Sequence, residues 1–258
     1  MDIREFVKKY VGYGAVQKFE DFLFYLRFGK IVLNTKGTNQ VIIKMGGNEV
    51  DIMCDDNEVI RNLVSSHEIK NVGIYMKYLN EYNVYIDIGA NIGVYLVLAS
   101  FIMDKKKVLL GFEPGLEAFL RCQKNLGKTD AKIYNFGLSN VNKKFFVKEI
   151  STGVALSIDD TLTTGNKIQC KIGDHLLEDY KGKSKFIKID VEGHEGEVIA
   201  GLTDLLKSSE KIALYVEIHN KILEENNKKE QFMIKLSDLK KNGFKIKWID
   251  RSHILMTN

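Results

Sequence analysis

The chain has 258 residues, 45% hydrophobic and 28% charged, enough to bury one substantial core and unlike a disordered tail. One proline against 21 glycines excludes proline-built linkers and collagen, and the +4 charge rests almost wholly on lysine, with only Arg4, Arg27, Arg61, Arg121 and Arg251, so nucleic-acid binding is not favoured. The longest apolar run, Val94 to Met103 apart from Ser100, is too short for a membrane span, and the opening Asp2, Arg4, Glu5 is unlike a secretory leader, so a soluble cytoplasmic protein is expected.

Apolar residues at helical spacing from Ile3 to Leu26, interrupted at Gly12 and Gly14, predict two helices. Their aromatics Phe19, Phe22, Phe24, Tyr25 and Phe28 suit packing on the core, closing a pocket, or a homodimer contact. Val41 to Lys44 and Val50 to Met53 flank Gly46-Gly47-Asn48, a hairpin signal, and Asp55 or Asp56 can cap a helix carrying Val59, Ile60, Leu63 and Val64. Residues 1–80 therefore read as a helical and β-hairpin extension.

Residues 81–258 follow another pattern. Strands are predicted at Val84 to Ile88, Val108 to Phe112, Lys132 to Asn135, Phe186 to Asp190 and Ile212 to Ile218. Helices fall between or after them at Gly93 to Met103, Leu116 to Leu126, Glu195 to Lys207 and Lys228 to Lys241, the last with Phe232, Leu236 and Leu239 on one side. This alternation is that of an α/β fold with a doubly wound, mostly parallel sheet. Phe244, Ile246 and Trp248 alternate with Lys245 and Lys247 before Asp250-Arg251-Ser252 turns into Ile254 to Met256, a C-terminal antiparallel hairpin. Between Ser139 and Tyr180 the pattern is less regular: a strand at Lys144 to Lys148, a polar loop from Ser151 to Asn166 and a strand at Lys167 to Ile172, inserted at the sheet edge or as a lid. Cys54, Cys122 and Cys170 form no CxxC pair and read as buried thiols.

Doubly wound sheets bind ligands beyond the carboxyl ends of their strands, where strand order reverses. The first end, Asp87-Ile88-Gly89-Ala90-Asn91-Ile92-Gly93, is an acid followed by a glycine turn. Asn91 replaces the second glycine of the nicotinamide fingerprint, and the loop has no Lys or Arg for a phosphate, which disfavours an NAD-dependent oxidoreductase. Asp87 suits an ammonium ligand, and S-adenosylmethionine carries both an amine and a sulfonium; an ordinary tight turn is the plainer alternative. At the second end, Glu113 is placed to accept from two ribose hydroxyls, with Pro114 fixing the turn behind it. The plainer alternative for Glu113 is an acid at a helix start. Phe136, Gly137 and Leu138 at the third end could lay amides and an apolar side chain against an adenine.

The fourth end runs Lys188-Ile189-Asp190-Val191-Glu192-Gly193-His194-Glu195-Gly196-Glu197. Strand alternation puts Lys188 and Asp190 on one face, so the lysine can compensate the carboxylate. The fifth adds Glu217 and His219, two apart and hence expected on a common face. His67, His175 and His253 have no such company and read as structural.

The runs Asp87 to Gly93, Phe112-Glu113-Pro114, Lys188 to Glu195 with Gly201 beyond, and Glu217-Ile218-His219 resemble the FkbM-like methyltransferases, a branch of the class I S-adenosylmethionine-dependent enzymes with a Rossmann-like fold. The likeness covers Tyr82 to about Asp250. It implies O-methylation of a hydroxyl on a small molecule or saccharide, with Asp87, Gly89, Gly93 and Glu113 at the cofactor and the Asp190 region facing the acceptor. Ile88, Ala90, Asn91, Pro114, Phe136, Gly137, Leu138 and Asp190 complete the expected cofactor set. The mechanism expected is direct displacement with Asp190 as general base, His194 or His219 in reserve, and Glu192 and Glu217 orienting partners. Asp190, Glu192, His194, Glu217 and His219 could also gather Mg²⁺ or Mn²⁺, though a metal is not favoured. A non-catalytic cofactor-binding assembly module is the rival reading. RNA methylation is weakened by sparse arginine and the lack of an Asn-Pro-Pro-Tyr-type tetrad.

Overall fold

The computed structural model describes residues 32–35, 40–45, 48–53, 75, 78–127, 129–151, 155–159, 161–207 and 211–258. The chain divides into two compact units, Met1–Gly73 and Ile74–Asn258. In the first, β1 (Val32–Thr35), β2 (Gln40–Met45) and β3 (Asn48–Met53) form an antiparallel sheet in that order, with Met45 opposite Asn48, as the hairpin signal predicts. The helices predicted between Ile3 and Leu26, the helix after Asp55, Cys54 and the suggested dimer contact lie outside the described residues.

The second unit opens with β4 (Val84–Ile88), α1 (Val94–Ile102), β5 (Val108–Phe112), α2 (Leu116–Leu126) and β6 (Lys132–Tyr134). An insertion follows: β7 (Gly137–Ser139), β8 (Lys143–Ser151), β9 (Ala155–Ile158), β10 (Lys167–Ile172) and α3 (Gly173–Leu176). The chain then returns through β11 (Lys185–Ile189), α4 (Glu195–Ala200), α5 (Thr203–Leu206), β12 (Ile212–Glu217), α6 (Asn220–Glu225), α7 (Lys229–Lys241), β13 (Lys245–Trp248) and β14 (His253–Thr257). The main sheet has the order β13-β14-β12-β11-β4-β5-β6. β4, β5, β6, β11 and β12 run parallel; β14 pairs antiparallel with β12 and with β13, which is the predicted C-terminal hairpin.

Period-two alternation builds the two layers. Val84, Ile86, Ile88, Ile187, Ile189, Leu214 and Val216 share a core with Val198, Leu202 and Leu205 from α4 to α5 and with Phe232, Leu236 and Leu239 of α7. Fully burying each of those three α7 side chains contributes about 1.5–3 kcal/mol. The opposite face carries Tyr85, Asp87, Gly111 and Lys188 under α1, whose Leu96 lies where a Gly111 side chain would be and whose Tyr95 ring lies 4.6 Å from Lys188 Nζ.

Three expectations change. The segment read as a polar loop contains β9, and β7, β10, β8 and β9 form a second sheet in that order. The helix predicted over Glu195 to Lys207 is two helices, since the chain turns at Gly201 and Leu202. Finally, α6 lies in a polar stretch with no apolar stripe to announce it; one residue, Leu223, is buried. Among the described residues no helix is long and apolar enough to cross a membrane. Cys122 and Cys170 are buried free thiols, as expected.

Candidate functional site

Strand order reverses between β4 and β11, and the Gly89 turn crosses that point. Asp190 N donates to the Ile88 carbonyl at 3.0 Å, and a Cβ on Gly89 would lie 1.7 Å from the Asp190 carbonyl oxygen. Gly89 also has φ +83°, so glycine is required on two counts. The turn is pinned elsewhere: Gly89 N and Ala90 N donate to the Phe112 carbonyl, and Asn125 Nδ2 of α2 donates to the Ile92 carbonyl. Gly93 packs against Cys122, where a Cβ would come within 2.6 Å of Sγ.

Beyond these strand ends opens a cleft of about 670 Å³. Its floor is Ile88, Gly89, Asn91, Glu113 and Pro114; the second sheet walls it with Gly137, Leu138, Leu156, Ile158, Ile168 and Cys170; Asp190, Val191, Glu192 and His194 close it. The insertion is thus a wall of the cleft. Phe136 is not part of that lining: its ring packs 5.7 Å from Phe112 and 5.7 Å from Tyr134, with Lys171 over it. Gly137 and Leu138 belong to β7, paired with β10, and not to a free loop.

Glu113 is buried, and its carboxylate takes one backbone amide on each oxygen: Gly115 N at 2.7 Å on Oε1 and Asn91 N at 2.8 Å on Oε2. An ionised carboxylate has about four acceptor positions, so each oxygen keeps one. Burial pushes its pKa up to about 7 against the pull of the two amides. Asn91, which supplies one amide, sits at φ +50° with its own Oδ1 accepting from Ile92 N.

Asp87 is placed differently from the sequence expectation. Its side chain is fully buried beneath the cleft and not in its lining, with Lys188 Nζ 3.8 Å from Oδ1. Burial pushes its pKa up to about 6 against the lysine's pull. Its β4 position sits directly opposite Lys188 in the parallel register, which turns both side chains to the α1 face. Among the described residues the carboxylates that line the cleft are Glu113, Asp190 and Glu192, and no Lys or Arg accompanies them.

Lys188 and Asp190 share a face as expected, Nζ donating to Oδ2 at 2.9 Å. Burial pushes Asp190 up, but Lys188 and His219 together hold it below the usual carboxylate value. Glu192, at φ +50°, has its carbonyl held by the Ser157 hydroxyl at 2.9 Å. Burial pushes its pKa up to about 7, with His219 pulling the other way.

His219 stands among three acids. Nδ1 is 2.8 Å from Oε1 of the buried Glu195, and Nε2 is 3.1 Å from Glu192 Oε2 and 3.8 Å from Asp190 Oδ1. Burial opposes its charge, but the Glu195 bond and the other carboxylates push its pKa up to about 10. It is an imidazolium at neutral pH and so has no lone pair with which to act as base.

The other candidates take separate places. His194 is buried at the start of α4, its Nε2 2.9 Å from Ser139 Oγ and its Nδ1 3.6 Å from Glu197 Oε2. Glu217 and His219 take different partners: β12 ends at Glu217, and His219 precedes α6. Glu217 meets His253 Nε2 at 3.4 Å, and that buried histidine also contacts Asp250 through Nδ1 at 3.0 Å. Of the five residues considered for a cation, Asp190, Glu192 and His219 bring ligand atoms within 4.8 Å of one another; His194 and Glu217 do not join them. Ser157 and Glu195 are the contributors the sequence reading passed over. Ser157 lay in the presumed loop, and nothing in the spacing distinguishes the inward Glu195 from its acidic neighbours.

Residues 87–246 match the model of the methyltransferase FkbM domain. The hexuronic acid methyltransferase AglP of Haloferax volcanii is 30% identical over 164 residues, 62% of this chain and 65% of that protein, so the match spans less than two thirds of the relative's length. Among solved structures, a precorrin-6y C5,15-methyltransferase from Geobacter metallireducens aligns at 16% identity and TM-score 0.42 over 76% of this chain and 90% of its own. An rRNA methylase from Streptococcus thermophilus aligns at 8% identity and TM-score 0.41 over 75% and 96%.

Proposed function

The chain belongs to the FkbM methyltransferase family, whose methyl donor is S-adenosylmethionine, and from that premise we propose that it methylates a hydroxyl of a saccharide. The observation that carries the cofactor half is the charge of the cleft: among the described residues three carboxylates line it and no Lys or Arg does. Such a lining favours a ligand bearing a sulfonium and an ammonium and disfavours a dinucleotide diphosphate. The residues present fit that ligand. Glu113 keeps an acceptor position on each oxygen for a pair of ribose hydroxyls, and Leu138, Leu156, Ile158 and Ile168 offer apolar surface to a purine. The saccharide half is supported by the Haloferax relative, named for hexuronic acid.

When bound, the cofactor supplies a methyl carbon on a positively charged sulfur. Glu192 is the base this geometry favours over Asp190. Asp190 is committed to Lys188 and held acidic, whereas Glu192 lines the cleft with a pKa near 7, where a general base works best. With the cofactor bound, Glu192 would take the hydroxyl proton as the acceptor oxygen gained the methyl group and the cofactor was left as the neutral thioether. His219 pulls Glu192 toward its ionised form against the effect of burial, and Glu195 fixes the histidine's ring. Asp190 adds negative charge to the cleft lining. The experiment is a panel of saccharides and small hydroxylated compounds incubated with methyl-labelled cofactor. Label in an ether-linked sugar product is expected; label only in amines, nucleic acid or non-sugar alcohols would refute the saccharide reading.

A further inference from the structure

We propose that the acceptor occupies a second groove, between β8 and α6, and that Lys148 and Lys221 on its rims read a carboxylate carried by the sugar. The inference deepens the saccharide reading above and rests on it. The groove, of about 780 Å³, is lined by Lys148, His219, Asn220, Lys221, Ile222 and Glu225. It shares a partition with the cofactor cleft: His219 lines the groove, and its Nε2 lies 3.1 Å from Glu192, which lines the cleft. Displacement at carbon requires the incoming oxygen and the departing sulfur on opposite sides of the methyl group. On this proposal the groove brings the hydroxyl to the His219–Glu192 pair from the side of His219 opposite the cleft.

The groove differs from the cleft in its charges. Among the described residues three acids and no Lys or Arg line the cleft, whereas two lysines and one acid, Glu225, line the groove. Lys221 is 89% exposed, and its nearest carboxylate, Glu225, is 3.9 Å away, beyond hydrogen-bond distance. Lys148 is 45% exposed and lies 3.5 Å from Asp159. Each ammonium carries three donors, so each retains donors for a substrate carboxylate beside its present acidic neighbour. Ile222, also in the lining, gives an apolar surface for the C–H face of a sugar ring. Gly193 backs it closely: a Cβ there would come within 2.5 Å of Ile222 Cγ2.

The test compares methyl transfer to a methyl hexuronoside and to the matched neutral methyl hexoside. The full-length protein should prefer the hexuronoside in kcat/KM, and the double variant Lys148→Glu/Lys221→Glu should lower that preference about tenfold, mainly through KM. Its affinity for S-adenosylhomocysteine, measured by calorimetry, reports whether the cleft is intact. Should the double variant not fold, Lys221→Gln, a change on an exposed side chain, should lower the preference a few fold. A preference unchanged in a variant that still binds S-adenosylhomocysteine overturns the groove assignment and leaves the saccharide reading standing, as does equal use of both sugars by the unaltered protein. Transfer to neither sugar overturns both.

Discussion

Glu113 ties the loop after β4 to the start of α2 through one carboxylate, accepting from Asn91 and Gly115. Replacing it by Ala leaves two amides without their acceptor, each worth about 1–3 kcal/mol if buried, and removes the proposed ribose contact. Glu113→Ala should therefore weaken S-adenosylhomocysteine binding about a hundredfold by calorimetry, and Glu113→Gln, which retains one acceptor oxygen, by less. Equal affinity in all three proteins would remove Glu113 from the cofactor site. Glu192 gives a separate prediction because its pKa is raised to about 7. A base must be ionised to accept a proton, so kcat/KM should fall about tenfold per pH unit below about 7 and level off above it. Glu192→Gln should lose turnover by about 10²–10⁴-fold while retaining cofactor binding. Were Asp190 the base, that acid limb would lie below the ordinary carboxylate range, since Lys188 and His219 hold Asp190 down.

At the scale of elements, the closest approach in the site is where the β4 turn passes the end of β11. Gly89→Ala would put a methyl 1.7 Å from the Asp190 carbonyl oxygen at a backbone angle of φ +83°. Either the Asp190 N to Ile88 O bond must break or the turn must move. We expect a loss of more than about 3 kcal/mol in urea denaturation. Gly165 separates strain from clash: it has φ +116° with nothing within 4 Å, so Gly165→Ala should cost only about 1–2 kcal/mol. Similar costs for the two would show that the β4–β11 approach is looser than described. The same contrast governs how much the sequence reveals. β4 and β5 are short apolar runs, almost wholly buried and bounded by Gly and acidic residues, so both their limits and their functional ends are legible. β9 is not, because it spans four residues and buries a serine whose hydroxyl is spent on Glu192. Nor does spacing locate the end of β12, and one residue of error there sends Glu217 and His219 to different partners. Buried Asp87 was misplaced for a related reason: alternation gives the face of the sheet, but not whether that face is open at the strand's tip.

For the whole molecule, the decisive fact is where the site residues come from. Every described residue of the cleft and of the groove belongs to the unit Ile74–Asn258, which contains the seven-stranded sheet and the four-stranded sheet. Tyr75, near its start, is fully buried with its ring 5.4 Å from Tyr85 and 5.3 Å from Phe186, and its hydroxyl donates to the Tyr95 carbonyl. A division just before it keeps that aromatic cluster whole, whereas a division at residue 80, where the sequence pattern changes, removes it. A unit of this length lies within the ~50–250 residues typical of independently folding domains. The fragment 74–258 should therefore unfold in one cooperative transition and bind S-adenosylhomocysteine within about threefold of the full chain, and a fragment starting at residue 81 should be measurably less stable. Burial of one aromatic side chain of this kind is worth about 3–5 kcal/mol when truncated, so the difference between the two fragments should appear directly in the urea midpoint. If the longer fragment fails to fold or to bind, the first unit is part of the cofactor-binding machinery and the division at residue 74 is not a functional one.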